Sequence, residues 1–128
     1  VNQHFKELQG LEACVDDVVY MPGATAPPDR PFPFVYYITI RNRSRKTVTV
    51  IGRKWVVTQK NGEVIVVEGD GVVGQFPRLE PGGEFPYNSS HTVSHDSRAE
   101  GAYFARDDDG TCYVIPIPPF DLDLPTWV

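Results

Sequence analysis

Cysteine and histidine are scarce in this chain, and their scarcity narrows the chemistry at once. Cys14 and Cys112 are the only cysteines, and neither has a close second ligand beside it. That suits packing residues in a reducing compartment better than a disulfide framework. A bond between them stays open only if the first and last strands lie side by side. His4, His91 and His95 are the only histidines. No apolar run approaches the ~20 residues that a membrane helix needs, so no membrane insertion is expected. The opening Val1-Asn2-Gln3-His4 lacks a basic stretch followed by an apolar one, so no secretory leader is read and a cytoplasmic location is expected. Positive charge is short too: 12 Lys and Arg against 17 Asp and Glu leave a net charge of −5. That sign argues against coating nucleic acid or an anionic membrane.

What the chain does have is 12 Pro and 11 Gly among many Val, Ile, Tyr and Phe. β-branched and aromatic residues suit strands, while Pro and Gly punctuate turns. A length of 128 residues fits one domain able to bury a core without metal or disulfide staples. The composition reads all-β.

The first residues, up to Gly10, read as coil or weak helix that frays. Leu11 to Tyr20 alternates and reads as a strand. Met21 to Pro33 reads as a long loop, because Pro27-Pro28 and Pro31 suit no sheet interior. Phe34 to Asn42 is the clearest strand, with Phe34, Tyr36, Ile38 and Ile40 on one face. Arg43 to Lys46 makes a turn, and Thr47 to Gln59 follows with a bulge expected at Gly52. Beyond it Trp55 and Val57 share a face, and Trp55 is the expected core anchor. Asn61-Gly62 predicts a hairpin into Val64 to Glu68. Gly69 to Gln75 reads as glycine-rich coil, Phe85 and Tyr87 begin another strand, and Asn88 to Ser97 reads as polar loop. Gly101 to Arg106 and Thr111 to Ile117 pair across Asp108-Asp109-Gly110, and Pro118-Pro119-Phe120 ends the sheet. About seven short strands without a helix predict a two-sheet antiparallel β-sandwich of immunoglobulin or fibronectin type III-like form. It forms one domain over 1–128, with its core at about 11–124.

Several blocks together resemble the ApaG family, also known as CorD. Phe34 to Asn42 resembles its first central strand, and Arg53-Lys54-Trp55 with Asn61-Gly62 its basic-x-Trp hairpin. Gly69-Asp70-Gly71-Val72-Val73-Gly74-Gln75 is similar to its most recognisable segment, followed by Pro77, Leu79, Glu80, Pro81 and Gly82. Gly101-Ala102-Tyr103-Phe104 and Ile117-Pro118-Pro119-Phe120 are similar to its closing strands. The resemblance implies a fibronectin type III-like sandwich with no enzymatic activity. It also implies a link to cobalt resistance and magnesium efflux, and, from eukaryotic F-box proteins and a polymerase-delta-interacting protein, a role as a protein-interaction module. The chain departs from the family at Ser89-Ser90-His91-Thr92-Val93, where many members carry a Gly-Cys-Pro step.

Gly69-Asp70-Gly71-Val72-Val73-Gly74 fits GxGxxG, but Phe76-Pro77 and Pro81-Gly82 preclude the helix that a dinucleotide fold requires. A glycine loop can still offer amides to an anion. Gly69, Gly71, Gly74 and Arg53 are therefore the candidate anion or partner site, helped by Lys54 or Arg78, against a purely structural loop. Arg41, Arg43, Arg45, Lys46, Arg53 and Lys54 read either as a solvated strand end or as a docking patch for an acidic partner or phosphate. Asp107-Asp108-Asp109-Gly110 reads as a hairpin tip, since the twelfth position of a calcium loop would fall on Pro118. His91, His95 and Asp96 read as solvated loop residues before a metal site. Ser89 to Asp96 contains Ser, His and Asp but no nucleophile elbow. No catalytic residue, metal ligand or cofactor is assigned. The partner expected is an unidentified protein, with a phosphate-containing small molecule as the alternative, and exposed strand edges leave a homodimer open.

Overall fold

The structure, a computed structural model, describes residues 5–128. Its eight strands are β1 (Leu11–Tyr20), β2 (Phe32–Asn42), β3 (Val48–Gln59), β4 (Val64–Asp70), β5 (Arg78–Leu79), β6 (Glu84–Val93), β7 (Ser97–Asp107) and β8 (Cys112–Leu122). One sheet has the order β1-β2-β6 and the other β4-β3-β7-β8, with β5 continuing the β4 side against β3. Every strand pair is antiparallel. The inward faces of the two sheets close over one hydrophobic core, giving the expected sandwich.

Alternation explains the core. Phe34, Tyr36, Ile38 and Ile40 of β2 all point inward and are buried. Across the gap, Trp55 is buried with its ring 4.8 Å from that of Tyr36. The bulge expected at Gly52 is present as a register shift between Val50 and Gly52. Two further bulges fall between Val15 and Asp17 of β1, and in β8 where Pro118 and Pro119 lie between Ile117 and Phe120. The Asn61-Gly62 turn forms with Gly62 at φ 91°, and Gln59 N donates to Glu63 O at 2.8 Å. At the turn after β2, buried Asn42 donates to the carbonyls of Lys46 and Leu79 and accepts from Ser44, so one side chain satisfies three chain segments.

Four expectations need correction. Asn88 to Val93 is strand rather than loop, paired with Phe32 to Tyr37 of β2. Its inward positions are Ser89, His91 and Val93, so only the last carries the apolar signal that periodicity needs. The loop before β2 is shorter than expected, because Pro33 already pairs with Thr92. β8 runs through Pro116, Pro118 and Pro119 to Leu122, as an edge strand permits. Finally, the segment before Gly10 is tied down: Lys6 N donates to Cys112 O at 3.1 Å, Val114 N to Lys6 O at 2.9 Å, and Phe5 packs on Phe104. His4 lies outside the described residues. Cys14 and Cys112 are free thiols, and both are half-buried instead of fully buried. Among the described residues no helix is long and apolar enough to cross a membrane.

Candidate functional site: the glycine-rich loop

The glycine segment joins β4 to β5 along the side of β3. Gly69 and Asp70 belong to β4, so the coil expected from Gly69 begins two residues later. Gly71 then turns at φ 63°, its amide bonded to Ile51 O at 2.9 Å. A β-carbon on Gly71 would overlap the Gln75 carbonyl oxygen, so the close approach of two backbones requires glycine. Val72 is fully buried, and it exchanges both backbone bonds with Gln75, at 2.8 and 2.9 Å. Between them lies a two-residue tip, Val73 at φ 44° and Gly74 at φ 78°. Two left-handed residues in succession match the turn that suits strand twist, where Asn-Gly is the usual pair. Val73 is the one non-glycine residue with positive φ among the described residues. For a β-branched residue that conformation is strained.

Arg53 lies opposite Gly69 in the β3–β4 ladder. Its Nη1 donates to the carbonyls of Asp70 at 2.9 Å and Gly71 at 3.3 Å. The guanidinium thus occupies the space that a side chain at position 69 would take. Arg53, Gly69, Asp70, Lys54, Glu68, Phe5 and Phe104 line an open cleft of about 520 Å³ at the Gly52 bulge. The structure therefore brings Arg53, Gly69 and Gly71 together, while Gly74 lies at the exposed tip with open space around it. The Gly71 amide is spent on Ile51 of β3 and those of Val72 and Gln75 inside the loop, while those of Val73 and Gly74 donate to no backbone carbonyl.

The basic stretch is not a free positive surface. Arg41 pairs with Glu84 at 3.1 Å, Arg43 with Glu12 at 3.9 Å, Lys46 with Asp107 at 3.8 Å and Lys54 with Glu68 at 3.3 Å. Arg78 holds Asp108 through two bonds, at 2.8 and 3.0 Å, and this guanidinium keeps the Asp108 carboxyl below its ordinary pKa. The Asp107 carboxylate closes the hairpin tip by accepting from Asp109 N, Thr111 N and the Tyr113 hydroxyl. Burial opposes its charge, yet these bonds and Lys46 outweigh burial and lower its pKa. The tip is a turn device, as expected. Among the described residues no three His, Cys, Asp or Glu side chains converge as a metal site.

His91 is where the sequence misleads most. It was expected in solvent, yet it is buried, stacked on Tyr36 at 4.8 Å and edge-on to Trp55 at 4.7 Å. Burial lowers its pKa to about 4, and its Nε2 has no hydrogen-bond partner. Nearby, the hydroxyls of Tyr87 and Tyr103 bond each other, and burial pushes the Tyr36, Tyr87 and Tyr103 phenols up. These groups act as core. His95 is apart from them, with Nδ1 at 2.9 Å from the Ser94 hydroxyl, and Asp96 accepts from Leu124 N.

Sequence reasoning did not single out Val73 and Phe76. Val73, at the turn tip, is 46% exposed and Phe76, just beyond the turn, 58%, and both are large and apolar. A Val directly before Gly at a turn tip, and a Phe in a stretch otherwise short of core partners, were the available signals.

Set against known proteins, this arrangement has clear kin. Residues 22–107 match the family described as the ApaG domain. The chain belongs to the ApaG family. It is 39% identical over 111 residues to Protein ApaG of Enterobacter sp. (strain 638), covering 86% of this chain and 89% of that one. Among solved structures, a Bordetella pertussis protein described as ApaA is 30% identical with a TM-score of 0.78, covering 96% of this chain and 99% of that one. A structural-genomics target solved by X-ray diffraction superposes with a TM-score of 0.82 at 28% identity, over 93% of this chain and 90% of its own. The ApaG domain match spans β3, the glycine loop and β7, so Arg53 and the loop it holds lie within the matched region.

Proposed function

We infer that this ApaG-family chain is a non-catalytic protein-interaction module of the cytoplasm. In this reading its contact surface is centred on the glycine loop. One observation carries it. Val73 is held in a strained left-handed conformation while its side chain faces outward at 46% exposure. Strain of about 1–3 kcal/mol persists only where the surrounding structure enforces it, and such residues cluster at binding and switch sites. Phe76 beside it supplies the larger apolar contact, and rigid flanking strands present both. The role in cobalt resistance and magnesium efflux implied by the family resemblance is then exercised through the partner, since no metal-ligand cluster occurs among the described residues.

A second reading is favoured by a different observation. The amides of Val73 and Gly74, which donate to no backbone carbonyl, and the Arg53 guanidinium at the base of the same loop suit a phosphate group, with Gly69, Gly71, Gly74 and Arg53 as its site. It ranks behind because Arg53 already spends Nη1 on two loop carbonyls.

Capture from native lysate tests the first reading with Val73→Asn plus Phe76→Ser as comparison. Asn tolerates positive φ, so the variant keeps its fold while losing the apolar contact. A protein retained by the parent and released by the variant supports the module. Identical captured sets remove it. Calorimetry with pyrophosphate addresses the second reading, and heat abolished by Arg53→Ala would favour it.

A further inference from the structure

Ion pairing does not reach every part of the basic stretch equally. In the turn after β2, Arg43 stands 3.9 Å from Glu12 and Lys46 stands 3.8 Å from Asp107. A hydrogen-bonded ion pair would close to about 2.7–2.9 Å. Asp107 already accepts from Asp109 N, Thr111 N and the Tyr113 hydroxyl. Arg45 has no carboxylate within ion-pair distance among the described residues. Three cations therefore share two carboxylates, and neither carboxylate bonds them.

The turn that displays these cations is rigid. The side-chain amide of Asn42 donates to Lys46 O at 2.7 Å, and its carbonyl accepts from Ser44 N at 3.0 Å and Ser44 Oγ at 2.6 Å. A second turn faces it, closed by Leu11 N donating to Leu8 O at 3.0 Å. The two turns are pressed together at Gly10, whose carbonyl accepts from Arg43 N at 2.7 Å. Gly10 has φ 91°, and a β-carbon there would come within 2.8 Å of the Arg43 carbonyl carbon, so the approach requires glycine. Between the turns lies an open cleft of about 460 Å³, with Gln9, Gly10, Arg43, Ser44, Arg45 and Lys46 on its walls. Among the described residues the amides of Gln9, Gly10 and Arg45 donate to no backbone carbonyl.

We propose that this cleft binds the phosphate group of a small phosphomonoester. Charge and donor count select that occupant. A phosphate ester carries about −1.5 to −2 charge at pH 7 on three strong acceptor oxygens. A carboxylate brings one charge on two oxygens and would leave the third cation unanswered. The Arg43 and Arg45 guanidiniums suit paired bonds to phosphate oxygens, and Lys46 adds a point charge. The volume is that of a small-molecule site, not of a track for an extended chain. Neither Arg53 nor the glycine loop takes part, so the proposal is independent of both readings above.

Amide resonances of the full chain test it. Those of Gln9, Gly10 and residues 43–46 should move with inorganic phosphate or glycerol phosphate, and stay in place with acetate at equal ionic strength. Arg45→Gln should weaken the response about tenfold or more. Lys60→Gln, which removes an exposed cation elsewhere, should leave it unchanged. Arg45 is exposed, so circular dichroism should match the parent. Resonances that stay still at millimolar phosphate, or that move only in residues 69–75, overturn the site. So does an Arg45→Gln variant that responds like the parent. A phosphoserine peptide bound more tightly than glycerol phosphate overturns the assignment to a small molecule.

Discussion

A β-carbon placed on Gly69 would come within 2.7 Å of Arg53 Nη1, its cross-strand neighbour. The glycine is therefore the seat of the arginine. Gly69→Ala should displace the guanidinium and weaken its bonds to the Asp70 and Gly71 carbonyls, at a cost of about 1–2 kcal/mol. Arg53→Ala removes the same bonds. Combining the two should cost no more than Arg53→Ala alone, and urea unfolding of the four proteins measures that coupling. Simple additivity would show that the pair is independent.

The loop glycines should separate by surroundings as well as by φ. Gly71→Ala meets the Gln75 carbonyl and takes a left-handed conformation, so roughly 3 kcal/mol should be lost. Gly74→Ala takes a similar φ but has open space, so about 1 kcal/mol is expected. Equal midpoints for the two variants would contradict the packing described for Gly71.

Acid should weaken the core through His91. Its folded pKa of about 4 lies below the ordinary 6.5, so the unfolded chain binds more protons between those values. The stability is complete above pH 6.5 and is lost as pH falls toward 4, by about 3 kcal/mol in total. Asp107 and Asp108, whose pKa values are lowered from 3.8, act in a separate window below that pH. Urea titrations at pH 7, 5 and 4 should show the slope in the parent and lose it in His91→Phe. An unchanged slope in that variant would place the titrating group elsewhere.

Gly101 faces Trp55 in the β3–β7 ladder, and a β-carbon there would overlap the Lys54 carbonyl oxygen. Backbone would have to move within a sheet interior. Gly101→Ala should therefore cost about 4 kcal/mol, a large share of what small domains possess. Ala102→Ser, at a half-buried neighbouring position, is the matched comparison and should change little. Soluble yield and thermal midpoint report the difference.

The sandwich was legible where side chains alternate in polarity. β2 and the Trp55 half of β3 announce themselves, and Asn61-Gly62 marks its hairpin without ambiguity. The second half of β6 does not, because Ser89 and His91 face inward among aromatic rings that only the folded chain brings together. The prolines of β8 hid the end of that strand, beyond Ile117, for a related reason: an edge tolerates missing amides, and position within a sheet is not written locally. The glycine loop could be located, but its workings could not. That Arg53 holds it from β3, and that Val73 carries the strain, are facts of cross-strand geometry.

The three bulges have a consequence for how this chain tolerates length changes. In β3 the buried positions are Val48 and Val50 before the bulge, then Trp55 and Val57 after it, so even numbers give way to odd. β1 and β8 switch from odd to even in the same fashion. Each bulge takes up one extra residue, so that both halves of its strand keep their apolar side chains on the inner face. Deleting Ile51 would leave Trp55 four positions beyond Val50, so the ladder would become regular with the indole still turned inward, and β3 can give up one residue at its bulge without emptying the centre.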